Sequence, residues 1–181
     1  MDATMKQQFE NSQSKDKDLM YESYQNIMAA TEQEVDWAYE VWDDLLERLS
    51  YKDNHQRSRA AQYLTNLAKS DPEKRMLTDF PRLWKVTKDE KFVTARHSLQ
   101  AIWKVGLAGP EQKQMVIDHL AERFRNCEDE KNFTMIRGDI IQSFRNLFEE
   151  TSDEEIKQTA IKLTDSIDDP KYKKKYAAIW K

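Results

Sequence analysis

The chain has 181 residues, a formal net charge of −4, 34% charged and 39% hydrophobic residues, a balance that suits one folded, highly soluble domain and excludes a disordered chain. Three glycines and four prolines leave too little turn material for many short strands, while Lys, Glu, Gln, Ala and Leu favour helices. No apolar run approaches a membrane span, the lone Cys127 excludes an internal disulfide and a cysteine metal cage, and the polar N-terminus lacks a signal-peptide core, so a cytoplasmic protein is expected.

Residues 1–15 are polar and aperiodic and read as a flexible tail, with residues 16–181 as a single helical domain. From Lys17 a helical stripe of Met20, Tyr24, Ile27 and Met28 runs to about Ala30. Thr31 with Glu34 fits a capping box, which predicts a helix carrying Val35, Ala38, Trp42, Leu45 and Leu49. Asp53 is the start signal of the next helix, which carries Arg57 and reaches about Lys69.

Ser70-Asp71-Pro72-Glu73 places a proline at a first helical position, where its missing amide needs no partner, and predicts a helix from there through Met76, Leu77, Phe80 and Trp84. Pro81 lies inside that stripe, at a cost of about 3 kcal/mol or a kink. Phe92, Ala95, Leu99, Ile102 and Gly106 form the next stripe. Gly109-Pro110 opens a helix with Val116, Ile117, Leu120 and Phe124, and Ile140, Phe144 and Leu147 mark the one after it. Ile156, Ala160 and Ile167 follow, and Asp169-Pro170 starts a last helix over 171–181.

These stripes repeat. Arg57, Ala60, Leu64 and Leu67 lie 39 residues before Arg96, Leu99, Trp103 and Gly106, and Arg137, Ile140, Phe144 and Leu147 lie 41 after them. Met76, Leu77, Phe80 and Trp84 map onto Val116, Ile117, Leu120 and Phe124 by a shift of 40, which makes two interleaved helix families. A period near 40 residues marks stacked helical hairpins. The expected fold is all-α, an α-solenoid (a right-handed α-α superhelix) of about four hairpins plus an N-terminal helix, about nine helices in all.

The segment FPRLWKVTKDEKFVTAR, with Pro81, Asp89 and Arg96, resembles the HEAT repeat, a member of the armadillo-type superfamily of helical repeats. The resemblance covers about Glu32 to Asp169. It implies that Asp53, Arg57, Asp89, Arg96, Asp129 and Arg137 form a structural ladder between neighbouring turns. It also implies that the second helix of each hairpin lines a concave face open to a partner. Those second helices carry an excess of eight positive charges, from Arg57, Arg59, Lys69, Lys91, Arg96, Lys104, Lys131, Arg137 and Arg145 against Asp139 alone. The candidate binding residues are Arg59, Gln62, Asn66, His97, Gln100, Lys104, Gln142, Arg145 and Asn146.

A protein-binding or scaffolding module is therefore expected, most naturally for a protein or acidic peptide. Nucleic-acid binding is the alternative, because some HEAT-like proteins are DNA glycosylases that use an aromatic and aspartate pair, for which Trp103 and Asp139 are the candidates here. Trp103 suits base stacking by its Gln and Lys neighbours, but its repeat equivalents Leu64 and Phe144 favour packing. His55, His97 and His119 share no metal-ligand spacing and no glycine-rich phosphate loop exists, so no catalytic residue, metal or cofactor is assigned. The run Lys173-Lys174-Lys175 suits the C-terminal end of the last helix.

Overall fold

A computed structural model describes residues 1–181. The chain is all-helical, with ten α-helices, three short 3-10 segments and no strand. It divides into two compact units, 1–98 and 99–181.

The first unit contains α1 (Ala3–Asn11), α2 (Lys17–Ala30), α3 (Ala38–Arg48), α4 (Asn54–Leu67), α5 (Met76–Val86) and the start of α6 (Phe92–Ala101). Helix α4 packs against α2, α3 and α5, and α3 also meets α5. Two layers result, one of α3 and α5, the other of α2 and α4. Trp42, Leu45, Leu64, Leu67, Phe80 and Leu83 are fully buried between them. Each such side chain contributes roughly 1.5–3 kcal/mol relative to exposure.

The second unit contains α7 (Pro110–Asn126), α8 (Phe133–Thr151), α9 (Glu154–Asp165) and α10 (Pro170–Ala177). Its layering repeats that of the first, with α7 against α9 on one side and α8 against α10 on the other. Phe124, Phe144, Leu147, Ile156 and Tyr176 fill its interior.

Several boundaries differ from the sequence reading. The expected tail carries α1, capped by the Asp2 carboxylate on the Met5 amide, and its Phe9 is buried edge-on against Trp37 and Tyr63, with ring centroids 5.8 and 5.9 Å away. One aromatic anchor per helix is too sparse to register as a stripe. Thr31 does not open a helix: its hydroxyl donates back to Ile27 O at 2.8 Å, so it closes α2. The next helix begins only at Ala38, and Val35 lies in the intervening loop with its amide donating to Ser70 Oγ at 2.9 Å.

Pro72 does not start α5 either. The Asp71 carboxylate accepts the amides of Arg75 and Met76 at 2.9 and 2.7 Å, which delays the helix to Met76. Pro81 does sit inside α5, and the helix continues through it. The residue is exposed, so the carbonyl left without its amide can turn to water. The stripe from Phe92 to Gly106 divides into α6 and a 3-10 segment, Ile102–Leu107. At Gly106 an added Cβ would lie 3.1 Å from Leu147 Cδ1, so a side chain in this tightened turn would require Leu147 to shift by a few tenths of an ångström.

Candidate functional site

Each unit places a cleft where the turns of successive hairpins meet. In the first unit the end of α3, the turn before α4 and the end of α5 surround a cleft of about 540 Å³. Leu49 and Val86 form its floor, and the ring of Tyr51, 39% exposed, stands at its edge. Its back wall is held by Arg57. That guanidinium donates twice to Asp89, at 2.6 and 2.9 Å, and twice more to the carbonyls of Tyr51 and Lys52, at 2.7 and 3.0 Å.

The Arg57–Asp89 pair is largely withdrawn from water, with 12% and 7% of the two side chains exposed. Burial acts to raise the Asp89 pKa, but the Arg57 hydrogen bonds and the Lys91 amide outweigh it and hold the carboxyl below its usual range. A second arginine bridges the same cleft, since Arg82 donates to Leu46 O at 2.8 Å. Lys85 and Lys88 also line it; both are exposed. With four cations against Asp89 and Glu90, the cleft carries an excess of two positive charges in a chain of net −4.

The corresponding cleft of the second unit is smaller, about 320 Å³, and is built differently. Arg137, the repeat equivalent of Arg57, lies between the rings of Phe124 and Phe133, at 5.1 and 5.4 Å from their centroids. It donates to Phe124 O at 2.9 Å and to Glu128 at 3.1 Å. Asp168 and Asp169 line the cleft, but Asp169 is engaged as the cap of α10, accepting the amides of Lys171 and Tyr172.

Of the six expected ladder residues, the arrangement thus brings Arg57 and Asp89 together across two hairpins. Asp53 instead caps α4 through the His55 amide at 2.8 Å. Arg96 is half-buried and Asp129 exposed. In the hairpin of α7 and α8 the buried arginines take up glutamates instead, Arg123 donating to Glu130 at 2.8 and 3.2 Å and Arg137 to Glu128.

The candidate face also divides. Asn66 is buried and Arg59 and Gln62 are half-buried against α2 and the turn that follows it. Arg59 stacks at 5.8 Å on Tyr24, Gln62 accepts the Tyr24 hydroxyl at 2.8 Å, and buried Asn66 donates to Thr31 Oγ1 at 3.0 Å. The repeat spacing carries no information about an extra helix that precedes the repeats. His97 is exposed. In the second unit, Gln100 donates to Asp139 at 3.1 Å, Gln142 donates to Asn146 at 2.8 Å, and Arg145 pairs with Glu149 at 2.6 Å beneath the ring of Trp180. Lys104 is half-buried beside them in sequence register.

Trp103 is half-buried, and Asp139 is 8% exposed. Trp42 is fully buried and donates its indole N–H to Asp79 at 2.9 Å, whereas Trp180 packs on Phe148 with ring centroids 5.5 Å apart. The His119 ring contacts Met115 O at 2.8 Å. Cys127 is buried, and burial pushes its thiol pKa up, which makes it a core residue with little thiolate character. No cluster of three or more His, Cys, Asp or Glu is arranged to hold a metal, and no helix is long and apolar enough to cross a membrane.

The sequence reading passed over Tyr51, Arg82, Lys85 and Lys88. Their signal was available: cations at 82, 85 and 88 follow one another at helical spacing and end beside the Asp89 turn. Comparison of the chain with protein-family models and with curated proteins returned no match.

Proposed function

We propose that this protein is a HEAT-like helical-repeat module that binds a protein or an acidic peptide segment and carries no catalytic centre. The observation that carries this reading is the repeated two-layer order, with α3 and α5 against α2 and α4 in one unit and α7 and α9 against α8 and α10 in the other. Stacked hairpins of this kind leave one row of second helices as a broad polar face suited to an extended partner. In the second unit that face is formed by Gln100, Lys104, Gln142, Arg145 and Asn146. Arg59, Gln62 and Asn66, lying under α2, are not part of it.

The test is selection from a displayed peptide library with the wild type and with the Lys104→Glu, Arg145→Glu double variant. Enrichment of Asp- and Glu-rich peptides by the wild type, lost in the variant, is the expected result. Equal enrichment by both removes this face from the proposal.

A further inference from the structure

We infer that the cleft of the first unit is a separate docking site for an acidic peptide, seated against Lys85, Lys88 and Arg82 with Tyr51 at its edge. Some of the charges around this cleft are already engaged. Arg57 directs four N–H donors to Asp89 and to two loop carbonyls, so it shapes the wall and has little left to offer a ligand. Asp89 is likewise filled by Arg57 and by the Lys91 amide at 2.9 Å. Neither member of that pair faces a partner electrostatically.

What remains is cationic. Arg82 uses one Nη on Leu46 O and keeps the rest of its fork, while the side-chain amines of Lys85 and Lys88 form no hydrogen bond or ion pair with the protein. Glu90 is the one acid of the lining left uncompensated by the Arg57 clamp. Three available cations against one carboxylate, around an opening of about 540 Å³, give an acidic segment a complementary field.

The position of these cations also matters. Arg82 and Lys85 lie in the last two turns of α5 and Lys88 just beyond it, where the helix dipole already favours positive charge, so a local structural role accounts for one cation there. It does not account for Arg82, Lys85 and Lys88 together lining one opening whose other wall is fixed by the Arg57 clamp. Fixed walls lower the ordering cost of binding, and a part-exposed tyrosine supplies an apolar contact for a side chain between the acids. The occupant this chemistry fits is a short extended stretch in which Asp or Glu alternates with an apolar residue.

This site is independent of the α8 face, and the experiment keeps the two apart. A fluorescein-labelled peptide of alternating glutamate and leucine is titrated by anisotropy against the full chain, the Lys85→Glu, Lys88→Glu variant and the Lys104→Glu, Arg145→Glu variant. All four substituted side chains are exposed or half-buried, and thermal melts of each variant report whether folding is kept. Loss of two exposed cations and gain of two repelling charges is expected to weaken binding about tenfold or more in the first variant. The second variant is expected to keep this component, and Lys85→Gln with Lys88→Gln to fall between. Wild-type affinity in the Lys85→Glu, Lys88→Glu variant overturns the inference. So does loss confined to the Lys104→Glu, Arg145→Glu variant, which would leave the α8 face standing alone. Absence of binding to the wild type, or binding of a phosphorylated peptide or duplex DNA with the glutamate peptide silent, overturns it as well.

Discussion

Arg57 and Arg137 stand at matching places near the starts of α4 and α8, yet one is locked to an acid from the next hairpin and the other is held between two phenylalanine rings. In the first unit, Asp89 is buried and meets the guanidinium edge-on with two hydrogen bonds. In the second, the nearest equivalent acid, Asp169, is turned to the N-terminus of α10, and Arg137 settles on Phe124, Phe133 and an exposed Glu128. The same residue in the same register therefore does different physical work, according to which partner its neighbouring turn leaves available. A buried bidentate pair fixes geometry strongly and is costly to break, whereas a stacked arginine contributes packing that survives loss of its charge partner.

The largest expected effect follows from breaking the first arrangement on its arginine side. Arg57→Met strands the Asp89 carboxylate in a mostly buried position, and a loss of about 3 kcal/mol is expected in denaturant titrations. Arg137→Met leaves only the Phe124 carbonyl and an exposed Glu128 without their donor, so a loss of about 1–2 kcal/mol is expected by the same measurement. If the two substitutions cost the same, the contrast drawn between the clefts is wrong.

Acid sharpens the comparison. Because the Asp89 pKa is held below that of an unfolded aspartate, its pairing contributes fully above the unfolded value, about 4, and is lost as pH falls through the folded one. Stability measured from pH 5 downward should fall less steeply for Asp89→Asn than for the wild type. The smallest effect is expected at Asp169→Asn, below about 0.5 kcal/mol, since asparagine caps a helix as well as aspartate does and no arginine depends on the charge.

Much of the fold was legible from the chain itself. The spacing of Ala60, Leu64 and Leu67, with the shifted Leu99, Ile140, Phe144 and Leu147, placed buried side chains in the right helices, and Gly109-Pro110 and Asp169-Pro170 gave helix starts at Pro110 and Pro170. Signals with two physical meanings misled. A threonine can cap the helix that follows or bond back to the helix it ends, and Thr31 does the second. An aspartate before proline can cap at once or gather amides further along, and Asp71 receives those of Arg75 and Met76.

The candidate face was only partly legible for a different reason. Register within α4 says which side chains share a side, but not that α2 would lie over Arg59, Gln62 and Asn66, because that contact joins a helix outside the repeat. The cationic cleft escaped notice because it draws on Tyr51 from one turn and on Lys85 and Lys88 from another, about 35 residues apart in a chain read helix by helix. Proximity of turns is a property of stacking, and the charges on single helices do not disclose it.

One arginine and one aspartate tie neighbouring hairpins in the first unit, and the residues at matching positions of the second do not. A double-mutant cycle measures this contrast directly, with Arg57→Met, Asp89→Asn and their combination, run beside Arg137→Met, Asp169→Asn and theirs. The predicted result is a coupling of about 2 kcal/mol for the first pair and none beyond about 0.5 kcal/mol for the second. Additive losses for Arg57 and Asp89, or equal coupling in both pairs, would contradict it.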